Sequence, residues 1–515
     1  MANKSLFSSA LARFLPQTDA VNDAGGAAYA YGAEAKLAQL AATGTLSGGF
    51  YSGADAQLAD ILTAAQAVPS DFVAKAAVYA RKSGAMKDMP ALLAAYLTVA
   101  DPDLAVRVFD RVIDNGRMLR NFVQIMRSGQ VGRRSLGSRP KRLVREWLEK
   151  ASMPQLMAAA TGNDPSLADI VRMVHPAPAS AERRAFYGWL IGKPYDVAAL
   201  PVEIAAFEAW KRDPKGALPS VPFEWLTAFP LTAEQWAELS GRIGWQALRM
   251  NLNTLARSGA FDVKGTVQAV AARLANAGAI ARVRPSPYQL MVALSQVGEA
   301  VPLAVQAALE EALELSLATV PVLEGHVVVC PDVSGSMSWA ATGQRKGATS
   351  KVRCIDIAAL VAAAVLRTNR SARVMPFDVD VVDMALDPKA RVAVNAARLA
   401  AIGGGGTNVS APLARLNRER AKVDTVVIMS DNESWIDPTR RGATATMNEW
   451  TKLKGRNPAA KLICIDIQPY GTTQAKDRKD IMNVGGFTDA VFHAMARFAA
   501  GETRDWVEIV NETEV

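Results

Sequence analysis

Three histidines and three cysteines in 515 residues leave little material for nitrogen or sulfur chemistry. The cysteines, Cys330, Cys354 and Cys464, are odd in number and none belongs to a Cys-x-x-Cys pair. That spacing excludes a disulfide framework and a zinc cluster. Two of them sit in apolar, strand-like runs, where a reduced buried thiol is expected. No stretch reaches the roughly 18 uninterrupted apolar residues of a membrane span. The opening "MANKSLFSSALARFLPQTDA" has its short apolar stretch broken by Arg13, so no secretory leader is read there and the expected compartment is the cytoplasm. Half of the residues are hydrophobic and 21% are charged, which suits buried cores and argues against a disordered chain.

What the chain does have is two grammars in succession. From about residue 50 to 318, apolar residues recur at helical spacing in "DAQLADILTAAQAV", "DFVAKAAVYARKSG", "MPALLAAYLTVA", "DLAVRVFDRVIDN" and "MLRNFVQIMRSG". Gly, Pro, Asp and Asn punctuate them at about one helix length. One helix pair cannot bury its apolar face alone, so such pairs stack into solenoids; an ordinary helical bundle is the alternative. After Pro321 the pattern becomes short β-branched runs, "GHVVVCPD", "ARVMPFDVDVV", "DTVVIMSD" and "KLICIDIQP", separated by helical stretches. Strand and helix in alternation predict a doubly wound parallel sheet. The expected division is a helical module over 1–320 and an α/β domain over 321–515.

Ligands of such sheets bind outside the carboxyl ends of the strands. There the first strand runs into "PDVSGSMS", and Asp332, Ser334 and Ser336 occupy alternate positions. Alternate residues of an extended segment point the same way, so three oxygens can converge. Thr407 after the Gly403–Gly406 run and Asp431 at another strand end offer two more. Hard oxygen ligands suit a divalent ion, Mg²⁺ first, which keeps positions open for water or an incoming ligand. This D-x-S-x-S set with a later Thr and Asp resembles the metal-ion-dependent adhesion site of von Willebrand factor A domains. The resemblance implies a cation that performs no chemistry and leaves one position for an acidic group on a partner. A phosphate loop at Gly403–Gly406 is the lesser reading, because the Lys-Ser/Thr of such loops is missing. Ser336 has no nearby histidine to make it a nucleophile.

The formal charge is +8, but residues 107–145 alone hold eleven basic residues against Asp110 and Asp114. Ten of the eleven are arginine, which forks onto phosphate and stacks on bases. Arg117, Arg120, Arg127, Arg133, Arg134, Arg139, Lys141 and Arg142 are the candidate nucleic-acid contacts, although a charge run by itself is often only a solvated face.

"GRRSLGSRPKRLVREWL", "SLADIVRMVHP", "WQALRMNLNTLARSG", "RPSPYQLMVAL" and "MKDMPALLAAYLTVA" resemble the blocks of the TROVE module of the Ro autoantigen family. A TROVE module followed by a von Willebrand A domain is that family's architecture, and bacterial Ro-like proteins are the nearest likeness. The resemblance implies a ring of HEAT-like helical repeats and binding of Y RNA. It implies capture of single-stranded 3′ ends of structured or misfolded noncoding RNA, in RNA quality control. It also implies partnership with an exoribonuclease such as polynucleotide phosphorylase, with the protein acting as a monomer and not as an enzyme. Carried onto this chain, it points to Arg172 and His175 in "SLADIVRMVHP" and to Arg257 in "NLNTLARSG". Asn251 and Asn253 of that last block either face RNA or are satisfied between helices. Two other readings are weighed: a metal-dependent interaction scaffold without RNA, and a nuclease. The nuclease is disfavoured because the carboxylates are not clustered for two-metal hydrolysis.

Overall fold

The computed structural model describes residues 15–43, 54–342, 352–431, 433–434, 443–468, 470–487 and 489–515. Residues 1–14, where no leader is read, lie outside the described residues. Ten strands follow in chain order: β1 (Ala20–Val21), β2 (Ala27–Ala30), β3 (Val327–Pro331), β4 (Ala340–Thr342), β5 (Val352–Arg353), β6 (Arg373–Val374), β7 (Thr425–Ser430), β8 (Lys461–Asp466), β9 (Thr472–Thr473) and β10 (Ile481–Gly485).

Five of them form a parallel sheet in the order β10-β8-β7-β3-β6. Every residue of β3 and β7 is buried. Crossover helices cover both faces of a parallel sheet, so its strands read as unbroken apolar runs and not as alternation. The helix Cys354–Thr368 between β3 and β6 is apolar nearly all round for the same reason; Ile355, Ile357, Leu360, Val361 and Val365 are all buried. Each such side chain contributes about 1.5–3 kcal/mol over its exposed state. The core on one side of the sheet gathers Trp450, Phe377, Met447, Val328, Ile428 and Leu462. All three cysteines are buried and unpaired.

One strand expectation needs correcting, and one strand goes unread in the sequence. The run "ARVMPFDVDVV" predicts one strand, but only Arg373–Val374 forms a ladder. Parallel bonding persists to Phe377, whose N–H donates to Pro331 O over 3.1 Å, and the chain then doubles back, with Val382 N–H donating to Pro376 O over 2.7 Å. Pro376 has no N–H to offer a ladder, and the Asp378 side chain draws Val379 N–H into a local turn instead. The other is β10, which sequence patterning passes over. Its Asn483 is buried but satisfied, donating to Ala475 O and Asp477 Oδ1 over 2.8 Å each.

Compactness divides the chain elsewhere than the expected break at 320. One unit takes the described residues up to Met86 together with Ser286–Val292 and Ser316–Glu514; the other takes Lys87–Pro285 and Ala293–Leu315. Within the first unit β2 pairs with β9, Tyr29 joins the sheet's core, and the helix Ala33–Thr43 packs on β10. Tyr79, in the helix Ser70–Lys82, meets Trp506 edge-on at 5.4 Å. Helical periodicity reports an apolar face but not which partner covers it, so the pattern alone assigns these residues to the run of helices that follows.

The second unit is helical. Asp101 caps the helix Pro102–Val112 through Asp103 and Leu104 N–H, with proline in its first turn. Asn115 caps Gly116–Ser128, which ends at left-handed Gly129. Helices rest on others close in sequence: Asp88–Ala100 on the two just named, Ser138–Lys150 on Pro102–Val112 and Leu167–Val174, and Ala233–Arg242 on Thr266–Leu274. That locality is the packing of stacked helical repeats.

Candidate functional site

The metal candidate begins where β3 stops. Asp332 N–H still donates to Met429 O of β7 over 2.8 Å, so this residue is held as the last of the ladder. Its carboxylate accepts Ser334 N–H at 2.8 Å and the Ser430 hydroxyl at 2.5 Å. Ser334 Oγ and Ser336 Oγ stand 3.3 Å apart. The Ser336 hydroxyl lies near the Asp431 carboxyl and favours its charged form. Four of the five expected ligands are thereby gathered by the ends of β3 and β7. Thr407 is buried in the neighbouring loop. That loop is tied to the β3 turn by Gly335 N–H, which donates to Gly405 O over 3.0 Å.

Asp332 is 0% and Asp431 2% exposed. Burial pushes both carboxyls above the ordinary range, and Asp431 raises Asp332 further. The hydroxyl bonds pull the other way, and among the described residues neither group has an arginine or lysine as ion-pair partner. Asp431 Oδ2 is buried without a hydrogen-bond partner. Two desolvated carboxylates with an orphaned oxygen, ringed by hydroxyls, are what a hard cation neutralises. The residues therefore fit the ion. Among the described residues no three His, Cys, Asp or Glu side chains form a metal cage; only two carboxylates belong to this set, and its other donors are hydroxyls.

The glycine run does not suit a phosphate. A Cβ at Gly404 would fall 2.9 Å from the Asp378 carboxylate, so the loop packs against an anion. Sequence reasoning misses Glu433 and Ser434, just beyond Asp431. Glu433 is fully buried with Oε1 unpartnered, and desolvation pushes its carboxyl up to about 8. The signal for it is slight: an acidic residue two positions after a strand-end aspartate.

The basic candidates lie on the helical unit. On Gly116–Ser128, Arg117, Arg120 and Arg127 recur at helical spacing along one arc, while Met118, Leu119, Phe122, Val123 and Met126 fill the buried one. Arg120 is half-buried and donates to Ala159 O over 2.7 Å; burial, helped by Arg117, lowers its pKa. Arg134 is exposed in the glycine-broken loop that follows, and Arg133 is half-buried there. Arg139 pairs with Asp103 at 3.0 Å, Arg142 with Glu146 at 3.6 Å and Arg172 with Asp169 at 3.3 Å. Among the described residues Arg117, Arg127, Arg133, Arg134 and Lys141 have no ion-pair partner. His175 is exposed and ends the helix Leu167–Val174 with a left-handed φ of 48°. Arg257 is exposed. The asparagines are satisfied between helices: Asn251 Nδ2 donates to Ala247 O over 2.8 Å, and Asn253 bonds Gln296 O at 2.7 Å and Gly298 N–H at 2.8 Å.

Residues 326–499 match the family described as the Ro60 vWA domain. Over 531 aligned residues the chain is 27% identical to the RNA-binding protein RO60 of Deinococcus radiodurans, covering 95% of this chain and 97% of that protein. The crystal structure of the Deinococcus radiodurans RO (RSR) protein superposes with a TM-score of 0.64 at 23% identity, over 92% of this chain and all of the other. A mostly helical region followed by a Ro60-type von Willebrand A domain is the fold, and nearly the whole chain resembles a bacterial Ro protein.

Proposed function

We propose that this Ro-like chain is a non-catalytic RNA-binding protein whose A domain docks an acidic partner group on a divalent cation. The observation that carries the RNA reading is the exposed arc of Arg117 and Arg127, continued by Arg134, without ion-pair partners among the described residues. A guanidinium left unpaired in solvent is free to exchange water for phosphate. The similarity to a protein named as RNA-binding supports the same reading. The finer assignment is Y RNA at Arg172 and His175, and single-stranded 3′ ends of structured or misfolded noncoding RNA on the arginine face. The protein then acts in RNA quality control as a scaffold for an exoribonuclease such as polynucleotide phosphorylase.

In the A domain, Asp332, Ser334, Ser336, Thr407 and Asp431 would hold the cation, Mg²⁺ by the hardness of the donors. When bound, it supplies a coordination position that a partner carboxylate fills. The chain's own part is to keep Asp332 desolvated, to orient it through Ser334 N–H and the Ser430 hydroxyl, and to hold Asp431 through Ser336. The gathered hydroxyls also support a second reading, a cation-dependent scaffold without RNA.

A salt titration of RNA binding separates the two. An oligonucleotide with a single-stranded 3′ end should lose affinity with a log–log slope of about −0.7 per phosphate neutralised. A flat slope leaves only the scaffold. His175→Ser should weaken a Y-type RNA several-fold more than a plain single strand; equal losses would make His175 only a helix cap.

A further inference from the structure

The N-terminal strands β1 and β2 are joined by a turn that the D-x-S-x-S motif does not call for. Asn22 N–H donates to Gly26 O over 2.9 Å, Gly25 N–H donates to Asn22 O over 3.0 Å, and the Asn22 side-chain oxygen takes Gly26 N–H at 2.5 Å. This turn lies on the segment that leaves Asp431. Asn22 Nδ2 donates to Ser434 O over 2.9 Å, and Ala24 N–H donates to Glu433 Oε2 over 3.0 Å. The approach is close enough that a Cβ at Gly26 would meet Ser434 O at 2.1 Å, so glycine is required there by contact.

The two residues so held are each bonded to a cation ligand. Glu433 N–H donates to Asp431 Oδ1 over 3.3 Å. Ser434 Oγ donates to Thr407 O over 3.4 Å and accepts Val409 N–H at 3.4 Å. Asp431 and Thr407 come from separate loops, and Ser434 spans from one to the other. Glu433 Oε1 is buried and unpartnered, and its carboxyl feels Asp431 nearby. A turn that served packing alone would meet apolar surface; this one directs one donor at a buried carboxyl and another at the Ser434 carbonyl.

We propose that the turn Asn22–Gly26 is a positioning element of the cation site: by clamping Glu433 and Ser434 it fixes Asp431 and Thr407 for the ion. The proposal rests on the reading of those residues as cation ligands. Groups that orient ligands from outside commonly change metal affinity 10–100-fold when removed. A ligand pair set by a segment some four hundred residues away in sequence makes cation binding a property of the assembled unit and not of the motif.

The test uses the full chain as wild type, Asn22→Ala, Glu433→Gln and Asp332→Ala, titrated with Mg²⁺ by calorimetry and melted without metal. Asp332→Ala should bind Mg²⁺ at least about 100-fold more weakly. Asn22→Ala and Glu433→Gln should each bind about 10-fold more weakly or worse, and Glu433→Gln should keep its metal-free melting temperature, because glutamine matches the side chain's size and keeps an oxygen for Ala24 N–H. Wild-type Mg²⁺ affinity in both Asn22→Ala and Glu433→Gln overturns the proposal while leaving the cation site standing. A wild-type protein that binds no Mg²⁺ overturns the cation reading and the positioning role together.

Discussion

Among the described residues, Asp332 and Asp431 are buried with no arginine or lysine paired to them, whereas Arg117, Arg127 and Arg134 stand in solvent with no carboxylate paired to them. The two regions thus carry unbalanced charge under opposite conditions. A desolvated carboxylate is costly unless it is protonated or paired, so the strand-end site is under pressure to take a small ion of defined geometry. An exposed guanidinium costs almost nothing to leave alone. Binding there should be graded, roughly additive and sensitive to salt. The first region is built to be all-or-none, the second to be a sum.

Breaking the first region should give the largest effect. Asp332→Ala removes one of two anionic ligands and should lower Mg²⁺ affinity by at least about 100-fold, since affinity follows ligand charge count. Its metal-free melting temperature should stay level or rise, because a buried carboxylate raised by its neighbour Asp431 has been removed. Differential scanning calorimetry with and without Mg²⁺ reads both. A metal-free melt that falls by several degrees would mean that the carboxylate's bonds to Ser334 and Ser430 matter more to the fold than its charge repulsion does.

The second region is sharpened by a pair of triple variants. Arg117→Ala, Arg127→Ala and Arg134→Ala together remove three unpaired guanidinium groups and should flatten the RNA salt slope by about 2. Arg139→Ala, Arg142→Ala and Arg172→Ala remove three that already hold Asp103, Glu146 and Asp169. That triple should flatten the slope by less, since phosphate must compete with an existing partner. Fluorescence anisotropy across a range of salt distinguishes them, and equal slopes would mean that RNA draws on the whole segment without regard to pairing.

The same contrast explains how much of the fold and of the site is legible in the amino-acid sequence. The candidate cation site is local: Asp332 ends β3, the 3-10 turn Gly335–Ser338 and not an extended alternation brings Ser336 beside Ser334, and a second strand end brings Asp431. Apolar runs such as β3 and β7 are buried on both faces, so their composition alone marks them. Glu433, Ser434 and the turn Asn22–Gly26 are not legible, because they meet the site through backbone contacts between segments far apart in sequence. The membership of the described residues up to Met86 in the unit of the sheet is hidden for a similar reason: Tyr29 and Tyr79 look like any core aromatics until their partners are known. On the arginine segment the sequence shows the charge but not which groups are already occupied; Arg120, committed to Ala159 O, reads the same as Arg127.

The smallest effect concerns a charge arrangement of a third kind, exposed and paired. Glu419 ends the helix Ala411–Glu419 and takes Arg373 of β6 in a two-point contact, Nη1 at 2.5 Å and Nη2 at 3.1 Å, while Arg415 Nε donates to it over 2.6 Å. The Arg373 bond, joined by Arg415, holds its carboxyl down at about 2, against the opposing effect of burial. A carboxyl lowered on folding stabilises the folded state above its unfolded pKa, and that contribution is lost as pH falls through the folded one. Wild type should therefore exceed Glu419→Gln in stability at pH 7, begin to lose the advantage below about 4.5, and equal it near pH 2. Because Arg373 and Arg415 are a third or more exposed, the advantage should stay under about 1 kcal/mol. It should shrink further in molar salt, which screens an exposed pair and leaves the buried carboxylates of the candidate cation site untouched. Urea unfolding of both proteins at pH 7, 4, 3 and 2 checks the sign. A difference that widens as pH falls would mean that the glutamate binds protons more tightly in the folded chain, and that the two arginines do not hold it charged.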